Sequence, residues 1–236
     1  QKITIKNNMH ILFTRPLEDC SHMIIKFQSL GHKVSHLQLL SVNKIHHPKI
    51  NFLEYNAIIF SSANALKFLE FDQIDKNMKC FCVGDATEKK ARSLGFQNTI
   101  SAEGNIVNLK ELILRNFEKN EGKIIYVSGE IISSELDKEL QGKGYNIKRL
   151  INYQTKHVEK FNETFVNELS LNIPDIVYVY SQNSALSFLK FIKINRLENH
   201  WMNTNLMCIG EKTSTILNEI KWKKIFLFNP GEEEFL

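Results

Sequence analysis

Short apolar runs, each closed by a polar turn and followed by a segment with helical spacing, recur along the whole chain. Residues 57–60 (Ala-Ile-Ile-Phe) and 176–180 (Ile-Val-Tyr-Val-Tyr) are apolar or aromatic throughout. Strands of that kind are buried on both faces, as parallel strands covered by helices are. Each run has four to six residues and gives way to Ser, Thr, Asn or Asp before the helix-period segment, which is the pattern of a βαβ unit. Glycine punctuates it. In Leu30-Gly31-His32, Leu94-Gly95-Phe96 and Lys143-Gly144-Tyr145 a glycine stands where a helix must stop before the next strand.

The pattern also repeats. Residues 55–71 align with residues 175–191, both reading as strand, polar turn and helix, with Ser61 over Ser181. The run ending in Val83-Gly84-Asp85-Ala86-Thr87 aligns with the one ending in Ile209-Gly210-Glu211-Lys212-Thr213, and the strand before Thr14 with the strand before Ser128. Three pairs in the same order, at offsets of 114, 120 and 126 residues, indicate a duplicated architecture. The expected fold is therefore α/β, two similar doubly wound parallel-sheet units, with crossings around residues 39–48 and 152–158, each following a strand. The sequence leaves open which units share a sheet.

Composition narrows the class. With 43% hydrophobic and 24% charged residues the 236-residue chain is an ordinary globular one, and no apolar run approaches the roughly eighteen residues of a membrane span. An excess of 30 basic over 26 acidic side chains suits an anionic ligand but falls short of a nucleic-acid-binding stripe. Residues 1–10 lack the features of a secretory signal, and Gln1 in place of Met implies that something upstream is missing. The abrupt end at residues 231–236 suggests a final helix that is short or cut. Four cysteines, Cys20, Cys80, Cys82 and Cys208, form no CxxC pair, so reduced thiols in the cytoplasm are expected, with Cys80 and Cys82 packed in a core strand. The histidines show no metal-ligand spacing.

In open parallel sheets ligands bind beyond the carboxyl ends of the strands, where loops meet helix N-termini. The polar residues cluster in those loops: Thr14-Arg15-Pro16, Ser61-Ser62-Ala63-Asn64, Gly84 to Thr87, Ser128-Gly129-Glu130, Ser181-Gln182-Asn183-Ser184, and Gly210 to Thr213. Two halves facing each other would bring both sets to one cleft between them. Helix N-termini present unpaired N–H groups and a positive dipole end, so such a cleft favours a polyanion. The same residue types also simply cap helices. There is no GxGxxG turn, no GxxxxGK[ST] loop and no GxSxG elbow, which removes nicotinamide, nucleotide and hydrolase readings. What remains is a binding module or an enzyme whose substrate supplies most of the reactivity.

At these loops the chain resembles the uroporphyrinogen-III synthase family. The resemblance runs from Ile11 to about Ile225 and is carried by Thr14-Arg15-Pro16, Ser61-Ser62-Ala63-Asn64-Ala65, Val83 to Thr87, Tyr153-Gln154-Thr155 and Ile209 to Thr213. Two positions depart from it: Ser128 stands where the family often has arginine, and Gln182 where it has Ser or Thr. The resemblance implies two domains, residues 1–39 with 156–236 and residues 40–155, joined by a two-stranded linker. It implies cyclisation of hydroxymethylbilane, which has eight carboxylates, to uroporphyrinogen III, with inversion of ring D, loss of water and no cofactor. Proton donation suffices to release the hydroxyl from an electron-rich pyrrole, so the enzyme's task is chiefly to position the substrate.

By the same resemblance Tyr153 is the candidate acid, or else a cap on the crossover. Arg15 is a charged clamp or a solvated loop residue, and Ser62, Thr87 and Thr213 bind carboxylates. Thr14, Ser61, Asn64, Gly84, Ser128, Gly129, Ser181, Ser184 and Gly210 complete the expected substrate-binding set. A cytoplasmic monomer is expected, receiving its substrate from hydroxymethylbilane synthase without membrane or nucleic-acid partners. The alternative is a non-catalytic two-lobed binding or sensory module for a polyanionic small molecule.

Overall fold

A computed structural model describes residues 8–70, 73–103, 105–229 and 232. The expectations for the chain's first seven residues, for Phe71 at the end of the first repeat segment and for a final helix at residues 231–236 fall outside the described residues, Glu232 excepted.

The chain begins with β1 (His10–Phe13), α1 (Leu17–Ser29) and β2 (Lys33–His36), then leaves through β3 (Leu40–Lys44). It continues through β4 (Ala57–Phe60), α2 (Ala63–Lys67), β5 (Lys79–Val83), α3 (Asp85–Ser93), β6 (Thr99–Ala102), α4 (Ile106–Asn116), β7 (Lys123–Gly129), α5 (Leu136–Gly142) and the long β8 (Asn146–His157). The last stretch holds α6 (Glu163–Leu171), β9 (Ile176–Val179), α7 (Gln182–Ile194), β10 (Asn205–Ile209), α8 (Glu211–Ile216) and β11 (Lys224–Phe228). Two compact units result, Gln1–Ser41 with Lys156–Leu236, and Val42–Thr155.

Both crossings fall inside strands, β3 and β8, where the sequence suggested that they follow strands. Continued pairing explains this. Beside the crossings the Ile45 N–H donates to the Asn152 carbonyl and the Val158 N–H to the Leu39 carbonyl, both at 2.9 Å. An irregular crossing would leave such groups unpaired.

The first unit's sheet has the order β11-β10-β9-β1-β2 and the second's β3-β8-β7-β4-β5-β6. The first sheet is parallel throughout, as is the second from β8 to β6. The three repeated pairs of the sequence, β1 with β7, β9 with β4 and β10 with β5, take equivalent places in the two sheets. This establishes the expected pair of doubly wound units and settles which strands share a sheet. It also shows that the units differ in chain order, since β1 and β2 precede the rest of their sheet whereas β7 and β8 follow theirs.

Strict alternation feeds two cores per sheet. In the second unit Ile58, Phe60, Ile125 and Val127 face one side, and Ala57, Ile59, Ile124 and Tyr126 the other. In the first, Leu12, Val177 and Val179 oppose Ile11, Phe13, Ile176 and Tyr178. All four cysteines are free and buried, and Cys80 and Cys82 sit on one core face with sulfurs 3.8 Å apart. Burial pushes the Cys20 thiol up to about 11 and the Cys208 thiol up to about 12, which keeps both protonated at neutral pH.

Gly31, Gly95 and Gly144 end α1, α3 and α5 with φ of 85°, 99° and 89°. In each case the N–H of the following residue reaches back to the carbonyl five residues earlier, as His32 does to Phe27. No helix among the described residues is long and apolar enough to cross a membrane.

His10 ties β1 to its neighbours. Its N–H donates to Asp175 Oδ2 at 2.8 Å, and its Nε2 lies 2.7 Å from Ser35 Oγ. Burial, and then the nearby Lys33 charge, lower its pKa, against weaker opposing effects from the Asn172 backbone and Asp175. The unfolded imidazole titrates near 6.5, so the fold's preference for the neutral ring contributes stability that is fully present above that pH and is lost as pH falls through the lowered folded value. Denaturant midpoints measured from pH 7.5 to 5 are expected to fall, and His10→Gln to flatten the slope. A slope unchanged in the variant would assign the acid sensitivity elsewhere.

Candidate active site

Winding reverses once in each sheet, between β4 and β7 in the second unit and between β9 and β1 in the first. Loops diverge from the carboxyl ends of the strands at such a switch and open a crevice there.

In the second unit that crevice is a cavity of about 330 Å³, lined among others by Ser61, Ser62, Tyr126, Gly129, Ile131 and Tyr153. Ser62 caps α2 by accepting the Asn64 N–H at 3.2 Å, an interaction typically worth about 1 kcal/mol. The Tyr126 hydroxyl donates to Ser61 Oγ at 3.2 Å. Burial raises the Tyr126 pKa, with the Ser61 hydrogen bond and the Arg149 charge opposing it. Tyr153 is 9% exposed, and its hydroxyl makes no hydrogen bond to a described residue. A phenol facing a cavity without an internal partner is a free donor.

Tyr153 reaches this place through an irregularity. On β8, Ile147 shares a face with Ile124 and Tyr126, and Leu150 shares the opposite face with Ile125 and Val127. Regular alternation would return residue 153 to the side of Ile147. Instead Ser128 pairs with Ile151 and Gly129 with Tyr153, which makes Asn152 an extra residue and turns Tyr153 to the side of Leu150. Asn152 is fully buried, its Nδ2 donating to the Ala65 carbonyl at 2.8 Å. The Tyr153 ring then lies against Gly129, where a Cβ would come within 2.7 Å of Cζ. Tyr153 is therefore part of a strand and does not cap the crossover.

In the first unit the switch brings together Thr14, Arg15, Tyr180 and Ser181. Thr14 Oγ1 donates across the strands to the Tyr178 carbonyl at 2.6 Å. The Arg15 guanidinium stands 4.5 Å above the Tyr180 ring, and no carboxylate pairs with it among the described residues. Ser181 caps α7, accepting the Ser184 N–H at 3.0 Å while donating to Ser184 Oγ at 2.9 Å. Gly210 and, in the second unit, Gly84 hold the same left-handed conformation, φ 73° and 78°, at the starts of α8 and α3. Each has open space where a Cβ would be, so backbone conformation is what requires glycine there.

Of the expected residues, Ser61, Ser62, Gly129 and Tyr153 meet in one cavity. Asn64, Gly84 and Thr87 follow along the same edge of the second unit, and Gly210 and Thr213 hold the matching places in the first. Thr14, Thr87, Ser184 and Thr213 are buried. Ser128 and Gly129 end β7 and are not part of a loop as the sequence suggested; the ladder continues because Ser128 and Gly129 both find partners on β8. The Ser128 hydroxyl is fully buried, donating to the Gly129 carbonyl at 3.0 Å and accepting from Arg149.

Sequence reasoning missed Tyr126, Ile131, Arg149 and Asn152. Tyr126 stands in an apolar run and reads as core, and Arg149 follows Lys148 in what reads as a solvated strand face. No group of three or more His, Cys, Asp or Glu side chains among the described residues is placed to hold a metal ion.

Fold and rims define a protein of two doubly wound α/β units, with polar loops at the carboxyl edge of each sheet and a cavity at the switch point of the second. That fold is similar to a crystal structure of uroporphyrinogen-III synthetase from Helicobacter pylori 26695, with 19% identity, a TM-score of 0.64 and 96% of each chain covered. It is also similar to a mutant uroporphyrinogen III synthase from the extremely thermophilic bacterium Thermus thermophilus, with 11% identity, a TM-score of 0.53 and 92% of each chain covered. No curated protein matches the sequence. The family model described as uroporphyrinogen-III synthase HemD matches residues 21–227. The chain belongs to the uroporphyrinogen-III synthase family, and its activity is the family's, formation of uroporphyrinogen III in haem biosynthesis.

The Gly129 contact can be checked directly. Gly129→Ala is expected to displace the Tyr153 ring, destabilise the protein by about 1–3 kcal/mol and lower turnover by more than that loss of folded protein explains. Gly142→Ala, at a position open to solvent in α5, serves as the control and should be neutral or slightly stabilising. Equal activity in both variants would show that the ring has room to spare.

Proposed function

We propose that the second unit's switch-point cavity is where hydroxymethylbilane loses its hydroxyl, with Tyr153 as the proton donor. What supports this is the phenol itself: it lines the cavity, has no hydrogen-bond partner among the described residues and is fixed in place by the Asn152 irregularity. A phenol donates through its hydroxyl. As the proton moves to the departing oxygen, the bond from carbon to oxygen breaks and water leaves. The pyrrole nitrogen supplies the electron pair that turns ring A into an azafulvenium ion, the protonated azafulvene.

The substituted carbon of ring D then attacks that carbon and forms a spiro intermediate. Inversion requires its old bond to the bridging methylene to break and a new one to form at the free carbon, from which a proton is finally lost. No step needs a strong base. Most of the rate comes from folding the linear chain so that the substituted carbon is the nearer nucleophile. Ser61 and Ser62 in this cavity, and the first backbone N–H groups of α3 after Gly84 on the same edge of the unit, take up carboxylates of the substrate. Ile131, 83% exposed at the cavity, offers an apolar surface to a pyrrole ring. The same reading has the protein act as a cytoplasmic monomer that receives its substrate from hydroxymethylbilane synthase.

The test supplies purified protein with freshly generated hydroxymethylbilane and separates the oxidised uroporphyrin isomers by chromatography, against the spontaneous reaction that gives isomer I. Predominantly isomer III is expected. Tyr153→Phe should lower kcat on the order of 100-fold, within the range for loss of a general acid, with an unchanged fold. A variant as fast as the wild type would remove Tyr153 from the proton transfer.

A further inference from the structure

We propose that Arg149 is a positioning residue for Tyr153: it holds the end of β7 as the floor on which the phenol is set. The proposal rests on the reading of Tyr153 as proton donor. Arg149 lies on β8, four residues before Tyr153, and its guanidinium spans three consecutive residues of β7 and its exit. Nε donates to Ser128 Oγ at 2.8 Å, and Nη2 donates to the Gly129 carbonyl at 2.8 Å and the Glu130 carbonyl at 2.9 Å.

The middle residue of the three is the one against which the Tyr153 ring lies. The clamp also sits where the β7 to β8 ladder shifts register, so it supplies bonds at the place where regular pairing is interrupted. A planar fork with fixed donor directions suits this task, and a lysine would make fewer of these bonds. No carboxylate pairs with Arg149 among the described residues, so its charge is directed at the carbonyls and at the phenol of Tyr126, whose pKa it pulls down against burial. Other ties at this point are the Ser128 hydroxyl donating to the Gly129 carbonyl at 3.0 Å and the Glu130 N–H donating to the Tyr153 carbonyl at 2.9 Å. Without the guanidinium the strand end loses three hydrogen bonds, Gly129 is held less firmly, and the ring shifts with it. A misplacement of about 1 Å is enough to cost on the order of 100-fold in rate.

The experiment compares wild type, R149M, R149K and the exchange S128R/R149S, which sends the guanidinium back across the same pair of strands from the other side. It reads kcat, KM, thermal midpoint and the share of isomer III. For R149M, kcat is expected to fall on the order of 10- to 100-fold, with KM changed less than about threefold and a melting transition that remains cooperative. R149K should fall between R149M and wild type, and the exchange should recover most of the lost kcat.

Wild-type kcat in R149M overturns the proposal, as does wild-type kcat in R149K should R149M fail to fold. A folded exchange variant as slow as R149M also overturns it. A rise in KM alone would mean that Arg149 binds substrate carboxylates directly, which likewise excludes the positioning role. Absence of isomer III from the wild type would instead overturn the activity on which the proposal rests.

Discussion

One residue more on β8 than on β7 governs the second unit's crevice. A parallel strand buried on both faces has no freedom in where its side chains point, because a slip of one position exchanges the two cores. Asn152 is the controlled exception. It satisfies its own amide nitrogen on the Ala65 carbonyl and lets Tyr153 follow on the same side. The tyrosine then meets the only kind of residue that leaves room for its ring, a glycine, at the last position of the neighbouring strand. Ladder, core and crevice all converge on this point, and the phenol has a rigid placement that a loop would not provide.

The rest of the architecture is a frame for that placement. Two-sided burial of short apolar strands fixes the sheets, glycines with positive φ end the helices close above them, and capped helix starts face the switch points. Each of these devices recurs in both units at equivalent sheet positions, yet the groups at the two switch points differ. The first has an arginine stacked on a tyrosine and a capped serine pair, whereas the second has two phenols, with a guanidinium bound to the strand end. Equivalent frames thus carry different groups.

Much of the frame was legible in the sequence because it depends on local rules. Uninterrupted apolar runs declared two-sided strands, Gly31, Gly95 and Gly144 marked helix ends, and the offset repeats declared two units. Ser61, Ser62 and Ser181 were visible as turn residues ahead of helices. What stayed hidden depends on pairing between distant segments. Nothing local distinguishes Asn152 as an extra residue, since that status exists only relative to the ladder with β7. Tyr126 reads as core because most of it is core, with only its hydroxyl reaching the crevice. Arg149 reads as a surface charge until its partners, some twenty residues earlier, are known. Ser128 and Gly129 look like a turn by composition, yet continued pairing with β8 keeps them in the strand.

The order in which the strands are strung has a consequence for the birth of the molecule. The second unit is one continuous stretch, Val42–Thr155, and all its strands but the first residues of β3 are available together as soon as that stretch has been synthesised. The first unit is not so placed. Its β1 must pair with β9, and the His10 N–H must find a carboxylate 165 residues further on. Until then β1 lacks its partner on the β9 side, and that pairing carries a loop-closure cost that a folded second unit shortens. The unit whose strands emerge first is therefore the last whose sheet can be completed, and its opening strands depend on the neighbour being built in between.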